Sequence, residues 1–241
     1  MPRLIHAEFV LNLKRCEVIA MLEIKKGREP DKLLRYRQQK GASFEDMDKE
    51  VKDELLERLL VEQGHICAYC MRRIPERRVL PIGVPPVTIE HWFPRNPESK
   101  EDIGQGLNYR NMFAVCSGNR GCGDKAGLTC DASRGNEPIK VNPCDAETLK
   151  GITYTSLGRI QSSDMVIDED INTRLNLNNE KISLPENRKQ VLQTLIDAVR
   201  KNCGNGDISL YCRRKLEHIR AVGDPKPPYV GIIIWWLEKH I

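Results

Sequence analysis

Four cysteines in two groups constrain the middle of this chain more strongly than any other feature of its sequence. Cys67 and Cys70 form a C-x-x-C pair, and Cys116 and Cys130 follow further along the chain. Four thiolates can close a tetrahedral zinc site, and structural zinc sites fill all four positions with protein ligands. Cys122 lies between the two later cysteines, so the spacing alone leaves Cys122 and Cys130 open as the fourth ligand. The sequence therefore predicts a zinc-stapled core.

The composition and the cysteine count exclude several classes of protein. Nine cysteines, an odd number, argue against a complete disulfide framework, and no convincing signal peptide precedes them. No stretch approaches the roughly 18 uninterrupted apolar residues of a membrane-spanning helix. The 241 residues are 40% hydrophobic and 30% charged, which is typical of a globular protein rather than a disordered one. We therefore expect a cytoplasmic protein without a membrane association, in which C-x-x-C indicates a metal site before a disulfide.

A redox pair is the alternative interpretation of Cys67 and Cys70. Thioredoxin-like pairs accompany a βαβ pattern, whereas this pair follows a predicted helix, which favours the metal site. The formal net charge of +4 permits nucleic-acid binding without requiring it.

An acidic residue and a histidine stand side by side between the two cysteine groups. Glu90 ends a short apolar stretch that predicts a strand, and His91 follows directly. A carboxylate binds hard cations and an imidazole has a pKa near neutral, so the pair suits a hydrolytic metal site. A structural histidine is the alternative. Of the five histidines in the chain, His91 alone lies between the cysteine groups, which favours a catalytic role.

Helix signals flank this central stretch on both sides. Apolar residues with helical spacing predict helices that open at Pro30 and Pro185, and helices over residues 46–63, 207–222 and 229–240. The last of these is apolar on nearly every side, so we expect its isoleucines in the core. An exposed tryptophan in that helix would instead mark a docking surface.

Short strands are predicted within the central stretch and after it. Residues 87–90 and 111–116 carry strand patterns, and residues 152–166 suggest a hairpin around Gly158. No linker divides the chain, so we expect one domain over residues 21–241. Residues 1–20 are weakly patterned. They are either an extension outside the natural protein or an N-terminal strand or helix.

The central stretch resembles the metal-binding motif of HNH nucleases. These enzymes carry an acidic-His step on one strand and an asparagine that opens the next strand. A cysteine follows five residues on, and a later cysteine precedes a metal-binding His or Asn. This chain offers Glu90-His91, Asn111, Cys116, and Cys130-Asp131 ahead of Arg134-Gly135. The match selects Cys130 as the fourth zinc ligand and leaves Cys122 in an inserted loop, Ser117–Thr129.

Two positions depart from the HNH pattern. Glu90 stands where aspartate is commoner, and Asp131 stands where the family has His or Asn. Oxygen-rich ligation suits Mg²⁺ or Mn²⁺, so both changes are compatible with a catalytic divalent ion. An inactive relative that binds nucleic acid stays open as the alternative.

The resemblance extends from about Ile24 to Lys239. Within the bacterial HNH proteins, the chain is similar to the branch that includes the nuclease subunit of Septu-type and related retron anti-phage systems. The motifs that carry this similarity are Cys67-Ala-Tyr-Cys70 after Gln63, Asn142-Pro143, Leu175-Asn-Leu-Asn178 before Asn187-Arg188, and Ile233-Ile-Trp-Trp236.

The resemblance implies an α+β protein with a zinc-stapled ββα-metal core in a mainly helical shell. Residues 21–64 would form a helical N-terminal part, residues 65–143 the ββα-metal core, and residues 144–241 a C-terminal hairpin with helices. The partners implied are nucleic acid, DNA before RNA, and an ABC-type ATPase in phage defence.

The resemblance also implies a metal-dependent endonuclease that hydrolyses phosphodiester bonds. His91 would act as general base, Asn111 would fix the loop that holds it, and zinc would only stabilise the scaffold. Glu90 and Asp131 would hold Mg²⁺ or Mn²⁺ against the scissile phosphate. Four basic residues around the site are expected to contact phosphates, namely Arg72, Arg73, Lys125 and Arg134.

Overall fold

The computed structural model describes residues 20–75, 85–95, 105–203 and 206–241, and it combines helices with two small antiparallel sheets. This mixed architecture agrees with the α+β prediction. The question about residues 1–20 lies outside the described residues, apart from Ala20, which is buried.

Two antiparallel hairpins form the β structure. The strands are β1 (Val87–His91), β2 (Met112–Cys116), β3 (Ile152–Tyr154) and β4 (Ile160–Ser162). In the first hairpin β1 pairs with β2, so that His91 lies opposite Met112 and Val87 lies opposite Cys116. Every residue of β2 is buried, whereas β1 is buried only at Glu90 and His91. The predicted hairpin around Gly158 is confirmed by the pairing of β3 with β4.

The helices of the described residues pack on the two hairpins and on one another. They are α1 (Asp31–Tyr36), α2 (Lys49–Glu62), α3 (Asp131–Arg134), α4 (Ala146–Leu149), α5 (Met165–Glu169), α6 (Leu184–Cys203), α7 (Ile208–Ala221) and α8 (Val230–Glu238). A π-helical turn, Asp170–Arg174, follows α5, and short 3₁₀ turns cover Tyr109–Asn111 and Lys125–Gly127. Each of the predicted long helices is therefore confirmed to within a few residues.

Helix α2 leads the chain into the first cysteine pair. Its buried residues Val51, Leu55 and Leu59 recur every four positions and form one apolar stripe. Gly64 ends the helix with φ of 63°, and a Cβ at this position would lie 2.3 Å from the Lys226 side chain. Only glycine fits this turn, because it alone combines positive φ with the absence of a Cβ.

Helix α8 lies in the core, as predicted for its isoleucines. Ile232, Ile233 and Ile234 are buried, and the helix packs on α6, α7 and β3. Trp235 is 6% exposed, and the half-buried Trp236 stacks on His240 with ring centroids 3.8 Å apart. The tryptophans therefore form no exposed docking surface. Buried residues from the N-terminal helices, the first hairpin and the C-terminal helices form one continuous core.

The helices of the described part of the chain are also informative about membranes. None of them has both the length and the apolar character needed to cross a bilayer.

Candidate active site

The sulfur atoms of Cys67, Cys70, Cys116 and Cys130 converge on one buried point. All four lie within 4.8 Å of one another, and three of the sulfur pairs are 3.8 Å apart. Zinc bonded tetrahedrally to sulfur at about 2.3 Å requires sulfur atoms about 3.8 Å apart. The four cysteines can therefore hold a structural metal ion such as zinc. Cys122 is exposed and lies outside this group.

Gln63 at the end of α2 fastens the first cysteine pair to β2. Its side-chain amide donates to the carbonyl oxygens of Ile66 (3.0 Å) and Ala114 (2.7 Å), and its Oε1 accepts from Ala114 N–H at 2.8 Å. Because Gln63 is buried, these bonds satisfy its polar atoms and fix the distance between the Cys67 turn and Cys116.

The segment Leu175–Asn178 holds the fourth cysteine in place. The backbone N–H of Cys130 donates to the Leu175 carbonyl at 2.8 Å, and the Thr129 hydroxyl donates to the same oxygen at 3.0 Å. The Asn176 side chain donates to the Leu128 carbonyl at 2.9 Å. The Leu-Asn-Leu-Asn motif therefore positions Cys130, which has a positive φ of 55°.

Arg72 supplies positive charge to the cysteine cluster. Burial opposes the charge on its guanidinium, but the thiolates of Cys70, Cys116 and Cys130 raise its pKa. Burial also raises the pKa of the Cys70 and Cys130 thiols, whereas hydrogen bonds from the neighbouring thiols hold that of Cys116 well below its usual range. A thiolate cluster beside a cation is the arrangement that a bound metal ion stabilises.

The structure gives Arg72 and Arg73 scaffold contacts, which corrects the expectation that they contact phosphate. Arg72 faces the thiolates. Arg73 Nη1 donates to the carbonyls of Gly64 (3.0 Å) and His65 (3.3 Å), and its Nη2 donates to the backbone carbonyl of Lys226. Arg73 therefore ties the turn after α2 to the chain before α8.

Glu90 and Asp131 meet on the side of the hairpin away from the sulfur atoms. Burial is the main cause that raises the pKa of Glu90, a hydrogen bond with Asp131 and the charge of Asp131 add to it, and the guanidinium of Arg134 opposes it by favouring the carboxylate. Two carboxyl groups this close share a proton unless a cation lies beside them. Their oxygen atoms form a donor set that suits a hard divalent ion. The structure thus brings Asp131 beside Glu90, although its neighbour Cys130 belongs to the sulfur cluster.

Arg134 is a buried partner of Glu90, which corrects the expectation that it contacts phosphate. Its side chain is 1% exposed, and its Nη1 donates to the Glu90 carboxylate and to the Tyr69 hydroxyl. The remaining guanidinium nitrogens donate to the backbone carbonyls of His91, Trp92 and Glu137. With five acceptors, Arg134 is fixed in the interior.

His91 has one ring nitrogen committed and one left to accept a proton. Its Nε2 lies 2.9 Å from the carbonyl oxygen of Gly106. A carbonyl only accepts, so Nε2 carries the hydrogen and Nδ1 of the neutral ring keeps its lone pair. Burial lowers the pKa of His91, while the Gly106 contact and the charge of Asp131 oppose this shift. The Phe44 ring packs edge-on against the imidazole, with centroids 4.6 Å apart.

Asn111 joins two segments of the chain that follow His91. Its Oδ1 accepts from the Phe93 N–H at 2.7 Å, and its Nδ2 donates to the carbonyls of Phe93 (3.0 Å) and Gln105 (3.2 Å). Gln105 directly precedes Gly106, the partner of His91. Asn111 therefore controls the position of the imidazole through the backbone that holds it.

A basic cleft of about 1020 Å³ adjoins His91 through Phe44 and Gly106. Four arginines and two glutamates supply its charged lining, namely Arg28, Arg37, Arg95, Arg110, Glu29 and Glu45. Both glutamates are ion-paired within the cleft, Glu29 with Arg37 and Glu45 with Arg95, so the lining keeps a net positive charge from the remaining arginines. The charge of Asp131 raises the pKa of Arg95 as it does that of His91, against the lowering effect of burial at both, although neither Glu90 nor Asp131 lines the cleft. Sequence reasoning missed these arginines because they come from separate segments and share no spacing. Lys125 is exposed and lies outside this lining.

The two halves of the site differ in how closely their ligand atoms gather. Among the residues that the structure describes, the four cysteines are the one group of three or more metal-ligating side chains gathered this tightly. No model of a known protein family matches the chain, and no curated protein matches its sequence. The case for a function therefore rests on the residues and their geometry.

Proposed function

We propose that this protein is a metal-dependent endonuclease of the HNH type, which hydrolyses phosphodiester bonds in nucleic acid, DNA before RNA. The observation that carries the proposal is the state of His91. Its Nε2 is held by a backbone carbonyl, its Nδ1 can accept a proton, the charge of Asp131 acts on it, and its ring contacts Phe44 and Gly106, which line the basic cleft. These are the parts that phosphodiester hydrolysis needs.

His91 would take a proton from the attacking water. Because burial lowers its pKa below the ordinary value, the imidazole is neutral at pH 7 and ready to act as a base. A well-placed general base contributes about 10²- to 10⁴-fold to a rate. The contact with Gly106 keeps the ring in the tautomer that this step requires.

Glu90 and Asp131 would hold a divalent ion, Mg²⁺ or Mn²⁺. When bound, such an ion polarises the phosphate and stabilises charge on the leaving oxygen. Tyr69 and Arg134 exclude water from one side of this pair, because both donate hydrogen bonds to Glu90 Oε1. Zinc on the four cysteines would have only a structural role, because no coordination position is left open.

The basic cleft supports the choice of nucleic acid as substrate. Arginine side chains bind phosphate through paired N–H groups and position a backbone without reading its sequence. Arg95 is the arginine of the cleft that lies nearest in sequence to His91, and Arg110 precedes Asn111 directly. Substrate phosphates in this cleft would lie next to the proposed base.

A second function has one observation in its favour. The carboxylates of Glu90 and Asp131 are already neutralised by Arg134 and Arg120. A zinc-stapled module that binds nucleic acid without cutting it would tolerate this arrangement. The two functions differ in whether phosphodiester bonds break in the presence of a divalent ion.

The test compares cleavage by the zinc-loaded wild type, His91→Ala and the control His218→Ala. His218 lies exposed on α7, away from the carboxylate pair. Labelled DNA and RNA are incubated with Mg²⁺ or Mn²⁺, and zinc content and melting temperature are measured in parallel. We expect His91→Ala to cleave about 10²- to 10⁴-fold more slowly at unchanged zinc content. Normal cleavage by His91→Ala would refute the assignment of the base, and binding without cleavage by the wild type would favour the binding module.

The resemblance extends the proposal to phage defence beside an ABC-type ATPase. The identity of the neighbouring gene product is the observation that bears on this extension. Copurification of that product with the full chain would support it, and a neighbouring gene without an ATPase fold would remove its basis.

A further inference from the structure

The inserted loop, Ser117–Thr129, brings a second arginine to the carboxylate pair. Arg120 Nη2 contacts Asp131 Oδ2. The base of the loop is anchored, because the Asn119 side chain donates to the Gly127 carbonyl at 3.2 Å and Thr129 N–H donates to Gly118 at 3.0 Å. Residues 121–126 are exposed. The loop therefore holds Arg120 between a fixed base and an exposed tip.

We propose that Arg120 is the exchangeable cation of the Glu90–Asp131 pair, which a divalent metal ion must displace in order to bind. This inference rests on the proposed function in one respect, since it takes the carboxylate pair as the site of the divalent ion. It makes Arg120 a positioning residue, because its contact with Asp131 sets how strongly the pair attracts the ion.

The two arginines at this pair are held very differently. Arg134 has a side chain that is 1% exposed and five acceptors, so its removal from Glu90 would leave a buried charge unsatisfied. Arg120 has a side chain that is 37% exposed, and its Nη1 is buried without a hydrogen-bond partner. A partly exposed arginine with an unsatisfied nitrogen loses little when it leaves its partner.

Charge makes Arg120 and a divalent ion exclude each other. Both carboxylates have a guanidinium beside them, so an approaching ion meets no net negative charge while Arg120 is in place. The ion and the guanidinium would also repel each other at the short distance that Asp131 imposes on both. Because Arg134 is fixed, Arg120 is the group that can give way.

The backbone of the loop permits this exchange without disturbing its anchors. Gly121 and Gly123 have φ of 89° and 74°, and a Cβ at Gly123 would meet open space. Near the tip, an ion pair between Asp124 and Lys181 joins the loop to the segment before α6, with both side chains more than half exposed. Exposed pairs of this kind contribute little to stability.

The experiment measures Mn²⁺ binding to the zinc-loaded full chain without nucleic acid, by calorimetry and by the electron paramagnetic resonance of free Mn²⁺. We expect Arg120→Gln to bind Mn²⁺ at least about tenfold more tightly than the wild type, because a unit charge a few ångströms from the ion is removed. Lys125→Gln is the matched control, since it removes one positive charge from the same loop. The affinity of Lys125→Gln for Mn²⁺ should equal that of the wild type. Asp131→Asn should abolish the tight binding in the Arg120→Gln background.

Three outcomes would overturn the proposal. They are an unchanged or weaker affinity in Arg120→Gln, an equal gain in Lys125→Gln, and tight binding that persists without the Asp131 carboxylate. Cleavage by the wild type is measured separately. If the wild type cleaves and Arg120→Gln gains no affinity, this inference alone fails. If no variant cleaves but Arg120→Gln gains affinity through Asp131, the inference stands and the nuclease proposal fails.

Discussion

The two sites on either side of the first hairpin use neighbouring residues at the start of one short helix in opposite ways. Cys130 lies in a cluster of four sulfur atoms that face one arginine, whereas Asp131 lies in a pair of carboxyl groups that face two. The four sulfur atoms thus outnumber the one positive charge beside them, and a bound metal ion would supply the missing positive charge. The carboxylate pair is balanced by the protein's own cations. The difference separates a sulfur cluster that can hold a structural metal ion from a carboxylate pair that the protein's own arginines neutralise.

The largest expected effect comes from breaking the sulfur cluster. Cys70→Ser removes one of four buried ligands, and structural zinc sites couple roughly 10–16 kcal/mol of apparent binding energy to folding. We therefore expect little soluble protein, or soluble protein without cooperative unfolding. Zinc content by elemental analysis and thermal unfolding by circular dichroism are the measurements.

Cys122→Ser is the matched control for this change. Cys122 is exposed and its thiol donates to the Asp124 carbonyl at 3.2 Å. The variant should retain the zinc content and the melting temperature of the wild type. Loss of zinc in Cys122→Ser, or full zinc loading in Cys70→Ser, would contradict the assignment of the four ligands.

The next largest effect comes from removing the buried ion pair between Arg134 and Glu90. Arg134→Met leaves Glu90 buried without its fixed cation, and breaking a buried ion pair costs about 3–5 kcal/mol. Urea unfolding measures the loss. The double variant with Glu90→Gln should recover much of it, since no charge is then left unpaired. Additive effects of the two changes would show that the pair is not coupled.

Much of this architecture could be predicted because it depends on local spacing. The apolar stripe of α2, the turn of Cys67 and Cys70, and the strands around Glu90 are each encoded within a few residues. The position of Asn111 directly before β2 follows from the same kind of pattern. The spacing did not distinguish Cys122 from Cys130, and that choice came from the resemblance to HNH nucleases.

The roles of the arginines could not be predicted, because they depend on contacts between distant segments. Arg134 was expected to contact phosphate, yet five acceptors from three parts of the chain enclose it. Arg73 was expected near phosphate, yet it joins the turn after α2 to the Lys226 carbonyl. A sequence shows that a residue is charged. It does not show which carbonyl groups will surround that charge after folding.

Lys26 offers a smaller test of how the hairpin tolerates a buried cation. Its Nζ donates to the Met112 carbonyl at 2.6 Å and lies over the rings of Tyr109 and Phe113. Burial lowers the pKa of Lys26 from 10.5 to about 8, with Glu62 opposing. Between these pH values the unfolded chain binds a proton that the folded protein has released, so stability rises with pH.

The comparison of wild type with Lys26→Met isolates this contribution. Across this pH window the difference in unfolding free energy between the two proteins should change by up to about 3 kcal/mol, in favour of the wild type at the higher pH. Urea unfolding at pH 7 and pH 10 measures it. A difference that is the same at both pH values would mean that Lys26 keeps its ordinary pKa in the folded protein.

The smallest expected effect on stability separates positioning from packing beside His91. Asn111→Ala removes three hydrogen bonds to Phe93 and Gln105 and leaves buried backbone groups unsatisfied, which costs about 1–3 kcal/mol. Because the Gln105 contact adjoins the carbonyl that orients His91, the proposed cleavage should suffer in kcat more than in KM. The His91 pKa, followed by NMR, should also move towards its ordinary value as the ring becomes more exposed. A variant that loses stability but keeps both kcat and the His91 pKa would assign Asn111 to the scaffold alone. Hydrogen bonds from Asn111 would then not fix His91 in the way that those of Gln63 fix the cysteine cluster.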